Sequence, residues 1–73
     1  MTETQKDIMR GDGYVLATDA ADAIGVTPVT IYRLVDDEKV RGQKAGGTRY
    51  VNLKDLVELY DQAPTIQKRI EAL

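Results

Sequence analysis

Arg33, Arg41, Lys44 and Arg49 lie between positions 33 and 49, with Thr27, Val29, Thr30 and Tyr32 just before them and Gly46, Gly47 and Thr48 among them. Cations of this kind neutralise phosphates, and an arginine fork also matches a guanine edge. Hydroxyl and methyl groups such as those of Thr30 and Val29 suit base edges, and a tyrosine hydroxyl can reach a phosphate. These residue types together point to double-stranded DNA as the partner. Residues 27–50 hold five cations (Arg33, Lys39, Arg41, Lys44, Arg49) against three acids (Asp36, Asp37, Glu38), a balance of +2 in a chain of net charge −2. Structural roles compete with this chemistry. Arg33 could pair with Asp36 or Asp37 along a helix, Tyr32 could be a half-buried core residue, and Val29 could pack on a neighbouring element.

The element that must position the first group runs from Pro28 to about Asp37. Thr27 suits the N-cap, because its hydroxyl can accept from a free N–H of the first turn. Pro28 suits N1, where the missing N–H costs nothing. Helical spacing puts Ile31, Leu34 and Val35 on one apolar stripe and Val29, Tyr32, Arg33 and Asp36 on or near the other side. Upstream, Ala17, Ala20, Ala21 and Ile24 recur at i, i+3, i+4 and i+7, which predicts a helix with one small-residue face. Gly25 fits its left-handed terminus. Only Val26 separates Gly25 from Thr27, so the two helices must cross steeply, as in a helix-turn-helix.

Residues 40–51 read as a hairpin turning at Gly46-Gly47, which can hold the two positive-φ positions of a two-residue turn. Ala45 then faces Thr48, Lys44 faces Arg49, Gln43 faces Tyr50 and Gly42 faces Val51. Two cations directly opposite one another are unfavourable unless an anion lies between them; a shifted register with both splayed into water is the alternative. Asn52 should cap a further helix, with Asp55 as an imperfect capping box. Leu53, Leu56, Val57 and Tyr60 form its stripe, widened by Leu59, and Pro64 ends it. Thr65 can cap a last helix carrying Ile66, Ile70 and Leu73 at i, i+4 and i+7. That segment is too short to stand alone, so it docks on its own domain or on a second copy of the chain.

The remaining composition narrows the function classes. The 73 residues suffice for one small domain, and there is no Phe, Trp, Cys or His. Without Cys or His the commonest metal ligands, nucleophile and neutral-pH acid–base group are missing, and no phosphate-binding loop is present. An enzyme, a cofactor, a metal and a small-molecule ligand are therefore not expected. Residues 1–13 read as a disordered tail and residues 14–73 as the domain, with Tyr14-Val15-Leu16 a short strand or an anchor. No run approaches the length of a membrane span, and the polar N-terminus lacks a signal peptide's apolar core, so a cytoplasmic protein is expected.

Four pieces in this order, Ala20-Ala21-Asp22-Ala23-Ile24-Gly25-Val26-Thr27, Thr30-Ile31-Tyr32-Arg33-Leu34-Val35, Lys44-Ala45-Gly46-Gly47-Thr48-Arg49-Tyr50 and Leu53-Lys54-Asp55-Leu56-Val57, resemble the excisionase-like branch of the MerR-type DNA-binding superfamily over residues 15–60. The resemblance implies a mainly α fold with a small β-hairpin, the winged helix-turn-helix. It implies that the second helix enters the major groove with Val29, Thr30, Tyr32 and Arg33, and that a wing of Lys44, Gly46, Gly47, Thr48 and Arg49 lies on the backbone. The chain departs from the family pattern with Glu38-Lys39 where a glycine usually follows the second helix. A single Arg49 follows Thr48 where consecutive arginines are common, and Leu16 stands at the first helix's cap. The expectation is a small sequence-specific DNA-binding protein of bacterial or phage type, an architectural factor in recombination or a transcriptional regulator. Self-association on DNA or through Ile66, Ile70 and Leu73 is a further expected partnership. A winged module acting through protein contacts, or the DNA-recognition part of a viral packaging complex, is the alternative.

Overall fold

The computed structural model describes residues 10–73. In chain order these form β1 (Tyr14–Leu16), α1 (Ala17–Ile24), α2 (Pro28–Asp36), β2 (Gly42–Ala45), β3 (Thr48–Asn52), α3 (Leu53–Leu59) and α4 (Pro64–Glu71). The hairpin is not isolated: β1 joins it in a three-stranded antiparallel sheet of order β1-β3-β2. Tyr14 pairs with Asn52, Val15 with Val51 and Leu16 with Tyr50. The domain is therefore a small α+β unit rather than helices with a free hairpin. The physical reason is that a two-stranded hairpin is marginal in water, and a third strand plus helix packing stabilises it. The expected tail lies outside the described residues over 1–9. At its end Arg10 and Gly11 are helical, and the Gly13 N–H donates to the Arg10 carbonyl at 3.0 Å. The Gly13 carbonyl in turn accepts from the Leu53 N–H at 2.8 Å.

Ala17, Ala20, Ala21 and Ile24 of α1 are all buried, as their spacing requires. Gly25 closes the helix at φ 88, and the N–H groups of Gly25 and Val26 both donate to the Ala21 carbonyl. Thr27 occupies the cap position of α2, yet its hydroxyl caps no N–H. It lies instead 3.3 Å from the Thr30 hydroxyl, while its carbonyl accepts from the Thr30 N–H at 3.0 Å. Ile31 is fully buried under α2, with Leu34 and Val35 partly buried against the same core.

The end of α2 is a Schellman arrangement. The Glu38 N–H donates to Val35 O at 3.0 Å and the Lys39 N–H to Leu34 O at 2.9 Å, which satisfies carbonyls the helix would otherwise leave open. Its left-handed residue is Glu38, at φ 60. A Cβ there crowds the following carbonyl, so Glu38→Gly is expected to stabilise the domain by about 0.5–1 kcal/mol. The gain is smaller than the full left-handed penalty because glycine also loosens the unfolded chain. Chemical denaturation with an unchanged slope would measure it, and a loss of stability would contradict it.

Asn52 caps α3 as expected, its side-chain oxygen accepting from the Asp55 N–H at 2.9 Å. Leu56 is fully buried and Leu53, Val57 and Tyr60 pack partly against the core, but Leu59 is exposed. At 3.6 residues per turn it sits about 110° around the helix from the stripe's centre, so it does not widen the buried face. α4 begins at Pro64, with Ala63 at the cap position, rather than after a Thr65 cap; proline at N1 starts the helix that it was expected only to precede. Ile70 is fully buried, Ile66 and Leu73 pack on the same core, and α4 lies against α1 and α3. The Gln67 amide ties it down by donating to the Val57 carbonyl at 2.9 Å. The last helix thus docks on its own domain, and its apolar stripe is occupied there. Among the described residues no helix is long and apolar enough to cross a membrane.

Candidate functional site

The tip of the hairpin is fixed by backbone conformation. Gly46 at φ 59 and Gly47 at φ 79 supply the two positive-φ positions, which β-carbons would make costly. The register follows: Ala45 faces Thr48, Lys44 faces Arg49, Gln43 faces Tyr50 and Gly42 faces Val51. The unshifted pairing therefore brings the two cations opposite each other, both exposed. Side chains alternate along a strand, so Gly42, Lys44, Arg49 and Val51 share one face.

That face meets α2. A Cβ built on Gly42 would lie 2.8 Å from both methyl carbons of Val35 and 3.3 Å from the Tyr50 carbonyl oxygen. The absence of a side chain is what lets the hairpin approach the helix. Nearer the tip, the Arg49 guanidinium carbon sits 4.5 Å from the centroid of the Tyr32 ring, a cation–π contact worth about 0.5–1 kcal/mol at an exposed site. Between the two elements runs an open groove of about 200 Å³ lined by Tyr32, Val35, Gly42, Lys44, Arg49 and Tyr50. The Tyr32 ring is half-buried against the core, so its structural role and its place at the surface coexist.

Around this junction the expected residues fall into two groups. Val29 is 55% exposed and Arg33 is exposed, one helical turn apart on α2. Among the described residues no ion pair joins Arg33 to Asp36 or Asp37, and Asp36, Asp37 and Glu38 all point to solvent beyond it. Thr27 is exposed, Thr30 and Thr48 are half-buried, and Gly46 and Gly47 are exposed at the tip. Arg49, over the Tyr32 ring, links the hairpin members of this set to α2.

Arg41 is exposed too, at 67%, but is held in an ion pair. Its backbone N–H and Nε both donate to Asp55 Oδ2 at 2.9 Å, and Nη2 donates to Oδ1 at 3.2 Å. This bidentate pair fastens the root of the hairpin to the first turn of α3. The hydrogen bond to Arg41 holds the Asp55 carboxyl below the usual carboxylate range, and Asp55 pushes the arginine up. Asp55 was expected to reach back to the Asn52 N–H in a capping box. That N–H is already given to the Arg41 carbonyl at 2.8 Å, which leaves the carboxylate for the guanidinium. Nothing in the sequence spacing marks a pair fourteen residues apart; the only local sign is an acid in a capping box too short for it.

Comparison of the chain with protein-family models, with curated proteins and with solved structures returns no match, so the chemistry of this surface is read from its own residues.

Proposed function

We propose that the protein is a small sequence-specific double-stranded DNA-binding protein with a winged helix-turn-helix architecture, an architectural or regulatory factor of bacterial or phage type. In this reading α2 enters the major groove and the β2–β3 hairpin is the wing on the backbone. The observation that carries it is the Arg49 guanidinium held over the Tyr32 ring at 4.5 Å. That contact joins the exposed face of α2 to the cation-bearing hairpin, the two elements that would meet a groove and its flanking phosphates in this reading. Arg33, Lys44 and Arg49 neutralise phosphates, with Arg33 also able to fork onto a guanine. Arg41, committed to Asp55, is left out. The acids at the end of α2 confine base contact to its N-terminal half.

Three phosphate contacts give a salt slope of about −3 for one copy. Titration of a duplex followed by fluorescence anisotropy over a range of salt is the test. Arg33→Ala and Arg49→Ala are each expected to weaken binding several-fold and to reduce the slope by about 1, with little change in stability for Arg33→Ala and a loss of about 0.5–1 kcal/mol for Arg49→Ala, which gives up its ring contact. If both variants bind like the parent, the docking mode is wrong. If the parent binds no duplex even at low salt, the protein-contact reading of the same surface replaces this one. Selection from a random duplex library at two salt concentrations would give the site and, from half-site spacing, the number of copies bound.

A further inference from the structure

Val29 is the most exposed large apolar side chain among the described residues, at 55%. It stands at the second position of α2, in the turn that a recognition helix presents most deeply to base edges. Helical spacing makes Tyr32 (i+3) and Arg33 (i+4) its surface neighbours, and Arg49 lies over Tyr32. An exposed branched apolar side chain therefore stands on the same helix face as Arg33 and as the ring that Arg49 covers. A duplex fits both features, with phosphates for the cations and, in the major groove, a single apolar group, the thymine 5-methyl.

We propose that Val29 reads a thymine methyl, making the protein's specificity depend on thymine rather than only on the pattern of hydrogen-bonding edges. The inference rests on the DNA-binding reading and goes beyond it by naming the base and the atom recognised. Burying one methyl-sized group is equivalent to about fourfold in affinity, or about 0.8 kcal/mol at 1.4 kcal/mol per tenfold.

The test uses a duplex selected from a random library, with each thymine replaced in turn by uracil, which pairs identically and lacks only the methyl. At one position the replacement is expected to weaken binding of the full-length chain about fourfold. Val29→Ala, an exposed change to a better helix former, should bind the thymine and uracil duplexes equally. Equal binding of both duplexes by the parent would overturn the inference while leaving DNA binding intact. A thymine preference that persists in Val29→Ala would overturn it too, by assigning the methyl to another residue. Failure to bind any duplex at low salt would remove both the inference and the function beneath it.

Discussion

Replacing Ile70 by alanine is expected to lower the unfolding free energy by about 2–5 kcal/mol, the range for removing a buried isoleucine from a packed core. For a chain of this length the whole stability is on the order of 4–11 kcal/mol, so the loss is a large share of it. The domain has no Phe or Trp to spread the burden. Ile70 is fully buried where α4 meets α1 and α3, and α4 is too short to hold its conformation once released. Urea unfolding followed by circular dichroism would measure the loss. Ile66→Ala, at a partly buried site of the same helix, should cost distinctly less. Because the stripe is covered within one chain, the midpoints should not vary with protein concentration. A change below about 0.5 kcal/mol for Ile70→Ala, or a concentration-dependent midpoint, would mean that α4 is covered in some other way.

Much of this architecture is legible from residue spacing because local rules and global packing agree. The alanine face of α1, the left-handed Gly25 and the Gly46-Gly47 turn with its full register each follow from a periodicity or from a conformation that glycine tolerates. What spacing leaves open or misses is of another kind. With only three residues, Tyr14-Val15-Leu16 reads as either a strand or an anchor, and pairing with the open edge of β3 makes it the strand β1. The left-handed Glu38 runs against propensity and is imposed by the carbonyls of α2 that must be satisfied. Arg41 looks like any other cation in sequence, and only the third dimension brings Asp55 to it. The candidate surface is thus readable as a composition, but its membership is not. Arg41 is tied down by a long-range pair, while Arg49 returns across the hairpin to cover the Tyr32 ring.

Gly42→Ala is expected to destabilise the domain by about 1–3 kcal/mol, the cost of forcing an extra methyl into a packed site, and to disturb the candidate surface as well. Gly42 is not among the positive-φ residues, so the effect is one of space rather than backbone conformation. The nearest obstacles are the two methyls of Val35 at 2.8 Å and the Tyr50 carbonyl at 3.3 Å. Neither yields easily: a valine in a helix holds essentially one rotamer, and the Tyr50 backbone belongs to the central strand. Relief must come from moving the hairpin away from α2, which would lift Arg49 off the Tyr32 ring and widen the span between Arg33 and Lys44. A double-mutant cycle isolates this cause. Val35→Ala should be destabilising alone, but in its presence Gly42→Ala should cost at least 0.5 kcal/mol less than in the parent, the scale on which contacting residues couple. If the two changes simply add, Val35 is not what Gly42 accommodates. If they couple, and Gly42→Ala also weakens duplex binding beyond its effect on stability, then the spacing set by one missing side chain governs how helix and hairpin present their cations together.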